Sequence, residues 1–245
     1  IWFWRYEKAG EQLKCFYELC KKEKGFPMRV CYQLFAFLKI RQKQGTKEDR
    51  KLFQAFMEQE MPDFETRLLA NKPYSLEELS LITVYYGLVE EDTAKRLKKL
   101  YCVAHCLREE FVQEEERLRS FYAELMLACA QCQYELGDYV NCIAQCEEGI
   151  KVTSRFRICV AGGELYECMA DAKGKLLEEE MRRNESKEQW FVMGGEERKK
   201  RMEAVLKDYM IADALYDSFY FGYRDGYKDI CNRKAERWKS MMQEK

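Results

Sequence analysis

The stretch that decides the fold is residues 121–152, FYAELMLACAQCQYELGDYVNCIAQCEEGIKV. Apolar residues recur at helical spacing on both sides of a central LGDY turn at residues 136–139, which predicts two helices joined as a hairpin. Small residues stand where the two helices must touch: Ala130 before the turn, then Cys142 and Gly149 after it. Because only small side chains let two helix backbones approach closely, this spacing indicates a packed helical hairpin.

The rest of the chain has a composition typical of helices. It has 245 residues, of which 47% are hydrophobic, 35% are charged and only three are proline, the residue that breaks the helical hydrogen-bond ladder. No long stretch alternates polar and apolar residues with a period of two, so we expect no sheet. The sequence therefore predicts an all-α fold of tandem antiparallel helical hairpins.

Local signals divide this helical chain into segments. Thr46 can cap one helix, and Ser75 with Glu78 has the spacing of a capping box. Gly45, Gly87 and Gly137 are predicted to be turn glycines of tandem helical hairpins. We predict a single helical-repeat domain over residues 1–245, made of degenerate N-terminal hairpins (1–70), a repeat core (74–181) and C-terminal helices (198–242).

Charge and cysteine usage exclude several classes of protein. The net charge is −1, which argues against nucleic-acid binding by this segment alone, since phosphates require a basic surface. No run of about 18 uncharged apolar residues predicts a membrane span. The twelve cysteines fall mostly within amphipathic helical runs, and no secretory signal is visible, which favours a reduced, cytoplasmic protein over a disulfide framework.

The cysteines also raise the possibility of a metal site. Cys129 and Cys132, with Cys142 and Cys146, would supply the four thiols of a common zinc set. Both pairs lie within predicted helices rather than in turns, so the favoured interpretation is core packing, with no metal ion. The single histidine, His105, lacks a partner base. We therefore expect no catalytic residues, no cofactor and no enzymatic activity.

The hairpin resembles a tetratricopeptide repeat, which implies that the hairpins stack as a right-handed superhelix. The small residues Ala130, Cys142 and Gly149, the turn at 136–139 and the following Ile143 match that pattern in order. The wider layout, with degenerate hairpins, a YSLEELSLI helix start at 74–82, the repeat and long terminal helices, is similar to the regulatory half of bacterial Rgg and PlcR type transcription regulators. This resemblance implies a missing upstream helix-turn-helix domain, a short signalling peptide as ligand, a homodimer, and DNA contact only through the missing domain.

In a tetratricopeptide stack the first helix of each pair lines a concave groove, so the resemblance implies where the peptide would bind. The predicted groove residues are Glu124, Leu127, Gln131, Tyr134, Arg157, Val160, Glu164 and Glu167. Amide side chains can bond the backbone of an extended peptide, and tyrosine or arginine can anchor its ends. Leu127 and Gln131 stand where repeats that bind chaperone tails carry Lys and Asn, which speaks against a chaperone adaptor.

Two further readings stay open. The same architecture also fits a generic repeat scaffold that binds another protein without a peptide signal. The dense aromatic residues near the C-terminus, Tyr209 and Tyr216 among them, fit either core packing or a self-association face. An upstream helix-turn-helix in the full reading frame would distinguish the regulator from the scaffold.

Overall fold

The computed structural model describes residues 45–70, 74–107, 116–153, 160–185, 195–219 and 227–243, together with Cys15 and Glu18. Within these ranges the chain forms nine helices and no strand, which confirms the all-α prediction. Apart from Cys15 and Glu18, the hairpins predicted before residue 45 lie outside the described ranges. The helices are α1 (Lys47–Glu60), α2 (Phe64–Leu69), α3 (Leu76–Val89), α4 (Thr93–Cys106), α5 (Glu116–Glu135), α6 (Tyr139–Thr153), α7 (Val160–Glu185), α8 (Gly195–Phe219) and α9 (Tyr227–Gln243).

The chain divides into two compact units, Ile1–Val112 and Gln113–Lys245. We call them the N-terminal unit, which contains α1 to α4, and the C-terminal unit, which contains α5 to α9. The repeat core predicted for residues 74–181 includes helices from both. Each unit is described by itself below.

Three helices of the N-terminal unit, α1, α3 and α4, begin at side-chain caps. Thr46 and Asp49 form a reciprocal capping box at α1, and Ser75 and Glu78 form the predicted one at α3. In the second box the Glu78 amide donates to Ser75 Oγ at 3.2 Å and the Ser75 amide donates to the Glu78 carboxylate at 2.8 Å. At α4 the Asp92 carboxylate accepts from the backbone N–H groups of Ala94 and Lys95. Each cap is worth about 1 kcal/mol because it satisfies backbone donors that a helix start leaves free.

Gly87 does not end a helix, so that prediction is wrong. Helix α3 continues through Gly87 to Val89. Leu88 is buried, and its carbonyl accepts a hydrogen bond from Arg50 Nε at 3.2 Å. Tertiary contacts therefore hold the part of α3 that follows Gly87. Among the described glycines only Gly137 has a left-handed backbone, and a glycine with helical dihedral angles does not by itself stop a helix.

The N-terminal unit has an aromatic core. Helix α1 packs on α3, and both α2 and α3 pack on α4. Phe53 is fully buried, with its ring centroid 5.9 Å from Phe56 and 6.1 Å from Tyr85. Phe64 on the short helix α2 meets Tyr85 edge-on at 5.3 Å. Such ring pairs stabilise by about 0.5–1.5 kcal/mol beyond the area they bury.

The predicted hairpin at 121–152 is present in the C-terminal unit. Gly137 has a φ of +77°, the left-handed conformation that ends many helices and favours glycine. Its N–H donates to the Tyr134 carbonyl at 3.0 Å, and the Asp138 N–H donates to the Gln133 carbonyl at 2.9 Å. The Asp138 carboxylate then accepts from the Asn141 backbone N–H at 3.3 Å, at the start of α6.

Every helix of the C-terminal unit packs on the next, and α5 also contacts α7. Small residues bring these helices together. A Cβ added at Gly149 would lie 2.8 Å from a Leu165 methyl carbon, and one at Gly163 would lie 2.7 Å from the Tyr216 ring. A Cβ at Gly174 would lie 2.7 Å from the indole of Trp238 on α9. The unit is thus a row of closely packed neighbouring helices.

Candidate functional site

The predicted groove residues on α5 fall into two groups. Glu124 and Gln131 are exposed, seven residues apart on one side of the helix, and Tyr134 is half-buried beside them. Leu127 is only 3% exposed and belongs to the core, so its predicted outward position is wrong. The reason is that Leu127 lies on the same helical stripe as Ala130, and that stripe packs against α6 and α7.

The predicted groove residues around α7 are not open in the way the resemblance implied. Glu164 is 6% exposed, and Glu167 is held by other side chains of the unit. Val160 begins α7, but its side chain, like all of Arg157, lies outside the described residues. The structure therefore leaves an open candidate surface on α5, formed by Glu124, Gln131 and Tyr134, which we call the α5 face.

A buried polar network joins α7, α8 and α9. Lys234 Nζ on α9 lies 2.8 Å from Glu167 Oε1 and 2.6 Å from Asp171 Oδ2 on α7. Each of these acidic side chains also accepts a hydrogen bond from a tyrosine of α8. The Tyr216 hydroxyl donates to Glu167 at 2.8 Å, and the Tyr209 hydroxyl donates to Asp171 at 2.5 Å. The two carboxylates are four residues apart on α7 and the two tyrosines seven apart on α8, so each pair shares a helix face. We call this set of five residues the lysine network.

The electrostatics of the lysine network follow from burial and from its two carboxylates. Burial alone lowers the pKa of the Lys234 ammonium, but the adjacent Glu167 and Asp171 carboxylates outweigh it, so the pKa is raised. Burial raises the pKa of both Tyr209 and Tyr216, and the same carboxylates raise it further. At neutral pH Lys234 is therefore an ammonium and both tyrosines are neutral phenols, and each is bonded to an acidic side chain of α7.

Tyr134 of the α5 face is close enough to the lysine network to be affected by its charges. Its ring meets Tyr139 edge-on at a centroid distance of 5.4 Å. Burial, followed by the nearby Asp171 carboxylate, raises the pKa of Tyr134 to about 12, while Lys234 acts in the opposite sense. Tyr134 is thus a neutral phenol at physiological pH, with an apolar ring partly covered and a hydroxyl that can still donate or accept a hydrogen bond.

The sequence interpretation missed the partners of Glu167. Asp171, four residues later, was a usable signal, because two carboxylates on one face of a largely buried helix require a cation. Lys234 lies 67 residues from Glu167 and carries no local mark that distinguishes it from other lysines. Tyr209 and Tyr216 are buried, which confirms the core-packing interpretation for those two aromatics.

The four cysteines considered as a zinc set do not come together in the structure. Instead Cys142 and Cys146 of α6 meet Cys168 of α7, with all three Sγ atoms within 4.8 Å of one another. Cys129 and Cys132 are buried but lie outside this cluster. Cys168 was overlooked because it lies on α7, beyond the hairpin, and no spacing rule ties it to α6. Among the described residues this is the group best able to hold a metal ion.

No protein-family model, curated protein or solved structure matches this chain. None of the helices in the described ranges combines the length and the apolar character needed to cross a membrane. His105 is exposed on α4 of the N-terminal unit.

Proposed function

We propose that the C-terminal unit is a tetratricopeptide-like module that binds a short, extended peptide on the α5 face. The observation that carries this proposal is the α5 face itself: an exposed carboxylate, an exposed amide and a half-buried phenol on one side of a helix whose other side is core. In the wider proposal the module is the sensor half of a peptide-responsive bacterial transcription regulator.

The packing order supports a repeat-like superhelix. We take α5 and α6 as one hairpin and α7 as the first helix of the next. The first helices α5 and α7 contact each other, and α6 contacts both of them. This is the neighbour relation expected of stacked hairpins, in which first helices line one side of the stack. The α5 face and the edge of α7 near Asp171 would then share that side.

The chemistry of the α5 face defines the kind of peptide it would take. The Gln131 amide can donate to and accept from an extended backbone, as in other modes of strand-like peptide recognition. Glu124, two turns away, favours a basic side chain or a free amino terminus. Tyr134 is already partly fixed by Tyr139, so anchoring an apolar side chain against it costs little conformational entropy. The proposed ligand is a short peptide with a positive group at one end and an apolar residue towards the other.

Helix α9 narrows the proposed site. Glu164 and Glu167 would have lengthened the groove along α7, but the lysine network commits Glu167 to the helix–helix contacts within the unit. The recognition surface is therefore short, which suits a peptide of a few residues better than the long segment that a generic scaffold would hold.

The test uses the 245-residue chain and a displayed library of random short peptides, followed by fluorescence anisotropy with the enriched sequences. Gln131→Ala and Glu124→Ala should each weaken binding about tenfold, equivalent to about 1.4 kcal/mol. The matched controls are Gln54→Ala on α1 and Glu147→Ala on α6, both exposed, which should bind like the parent chain. Unchanged affinity in both α5 variants for every enriched peptide would remove the α5 face from the proposal.

The regulator and the scaffold are separated by a different observation. A helix-turn-helix encoded upstream of Ile1 in the same reading frame supports the regulator, and its homodimer can then be measured by analytical ultracentrifugation. A different module upstream, combined with enrichment of folded proteins rather than short peptides, favours the scaffold.

A further inference from the structure

Three thiols from two helices converge inside the C-terminal unit. Cys142 and Cys146 lie one turn apart on α6, and Cys168 faces them from α7. The Sγ atoms of Cys142 and Cys168 are 3.7 Å apart, and all three sulfurs lie within 4.8 Å of one another. Cys142 and Cys146 are fully buried, whereas Cys168 is partly exposed. Two members of the cluster are thus fully enclosed, and the third is a partly exposed residue.

These separations suit a metal ion bound by three sulfurs. A metal–sulfur bond of about 2.3 Å places three ligating sulfurs roughly 3.8–4.0 Å apart, in tetrahedral or planar trigonal geometry respectively. One observed separation is already close to that value, and the largest exceeds it by less than 1 Å. Small rotations of the side chains are therefore enough, with no movement of the helices.

The donor set selects a soft metal ion. Thiolates prefer Cu(I), Zn(II) and iron–sulfur centres over hard cations such as Mg²⁺ or Ca²⁺. Zinc sites in proteins are almost always four-coordinate. In the described part of the chain no fourth cysteine, histidine or carboxylate joins the cluster, and its neighbours include the apolar residues Leu165 and Ala172. Cu(I), a d¹⁰ ion that is satisfied by two or three sulfurs, matches three donors in a dry setting. We propose that Cys142, Cys146 and Cys168 form a Cu(I) site that joins α6 to α7.

A cysteine binds a metal ion as its thiolate, so the charge and proton balance of the site follow from its three sulfurs. Cu(I) held by all three thiolates displaces three thiol protons to solvent and leaves the cluster at −2. Hydrogen bonds from Cys146 and Cys168 lower the pKa of Cys142, which makes it the first thiolate. The hydrogen bond to Cys142, and then burial, raise the pKa of Cys146, while the Lys173 ammonium acts in the opposite direction and favours its thiolate. Cys168, the partly exposed member, is the point of entry.

The experiment titrates the reduced chain with Cu(I) supplied anaerobically as its acetonitrile complex, in competition with a chromophoric Cu(I) chelator. The parent chain should bind one equivalent, and Cys168→Ser should lose at least about 100-fold in affinity, because one of three ligands is removed. The matched control is Cys129→Ala, which removes a buried thiol of the same hairpin outside the cluster and should leave affinity unchanged. X-ray absorption of the loaded chain should show sulfur ligands only.

Circular dichroism and thermal unfolding establish that each variant is folded, and Cys142→Ala provides a second removal of a ligand. Loaded parent chain should unfold at a higher temperature than the metal-free chain, and the Cys168→Ser chain should show no such shift. The proposal fails if the parent chain does not compete with the chelator, if Cys129→Ala weakens binding as much as Cys168→Ser, or if Zn(II) binds the cluster more tightly than Cu(I).

Discussion

The two units each contain a tyrosine, a glutamate and a lysine in contact, but they bury them differently. In the N-terminal unit Tyr86 donates to Glu65 at 3.2 Å and Lys99 lies 2.8 Å from the same carboxylate. In the C-terminal unit Glu167 is bonded to Tyr216 and Lys234, both at 2.8 Å. The two lysines are equally covered, with 30% and 33% of their side chains exposed, but Glu65 is 52% exposed and Glu167 only 13%.

The same three residue types therefore contribute differently to the stability of the two units, depending on how far the carboxylate is buried. Water solvates Glu65 whether or not Lys99 is present, so that ion pair adds little. Glu167 has lost most of its water, so its partners replace solvation rather than supplement it. The second carboxylate, Asp171, increases this dependence, because one ammonium serves both.

The largest expected effect is therefore at Lys234. Lys234→Met keeps most of the side-chain volume but leaves two largely buried carboxylates without their cation, and should lower the free energy of unfolding by about 3 kcal/mol, near the low end for broken buried pairs. Urea denaturation measures the loss, and hydrogen exchange assigns it to α7 and α9. If Lys234→Met cost less than about 1 kcal/mol, the lysine network would be no more than a surface ion pair.

Tyr216→Phe should have the next largest effect. It removes one hydrogen bond to a charged group, so at pH 7 we expect a loss of about 2 kcal/mol, against about 0.5 kcal/mol for Tyr86→Phe with its longer bond to an exposed carboxylate. Unfolding titrations of the two variants measure this ratio directly. Equal losses would contradict the role given to burial.

The same variant makes a prediction about alkaline pH. Because the pKa of Tyr216 is raised in the fold, the folded chain keeps a proton above pH 10 that an unfolded tyrosine releases. The contribution of Tyr216 to the free energy of unfolding therefore falls by about 1.4 kcal/mol per pH unit above pH 10. Phenylalanine has no such proton, so the deficit of Tyr216→Phe should shrink as pH rises from about 10 and close near pH 11.5. A deficit that stayed constant through this range would mean that the phenol is not shielded.

Alanine substitutions at the adjacent Gly162 and Gly163 test whether α7 must lack a side chain where it packs against the Tyr216 ring. A Cβ at Gly163 would lie 2.7 Å from that ring, so Gly163→Ala should destabilise by about 1–2 kcal/mol even after the gain in helix propensity. A Cβ at Gly162 would make only ordinary contacts, with a Leu215 methyl at 3.7 Å and the Thr153 hydroxyl at 4.0 Å, so Gly162→Ala should stabilise by up to about 1 kcal/mol. Thermal unfolding of the pair gives the sign of each change, and the same sign for both would refute the packing argument.

The smallest expected effect is at Lys99. Lys99→Met should change the free energy of unfolding by less than about 1 kcal/mol, and the difference should disappear in 1 M salt, where the screening length is about 3 Å. Urea denaturation at low and high salt measures both quantities. A large loss that persists in salt would show that the N-terminal unit depends on its ion pair as the C-terminal unit does on Lys234.

The contrast between the units also explains what sequence reasoning could reach. The capping box at Ser75 and the turn at Gly137 depend on residues a few positions apart, so their patterns were sufficient to predict them. Gly87 looked like a stop signal, but the burial of Leu88 and the bond from Arg50 decide where α3 ends, and both depend on α1. Leu127 was assigned to the surface for a related reason: its exposure depends on how closely α7 approaches α5.

The candidate sites were harder to predict than the helices, because each depends on side chains brought together by the folding of distant helices. The α5 face was predicted from the tetratricopeptide resemblance together with helical periodicity, and of its residues Glu124 and Gln131 are exposed and Tyr134 is half-buried. The lysine network requires α9 to return to α7, and the thiol cluster requires α7 to return to α6. No local spacing encodes either return.

The contact between Trp238 and Gly174 provides the C-terminal unit with an intrinsic optical reporter. The indole is 4% exposed and rests where a glycine leaves room on α7, so its fluorescence depends on whether α9 stays docked. The chain has three other tryptophans, Trp2, Trp4 and Trp190, and replacing them with phenylalanine would leave emission from this one contact. A shift of that emission to longer wavelength would then follow the release of α9 in real time, without any added dye.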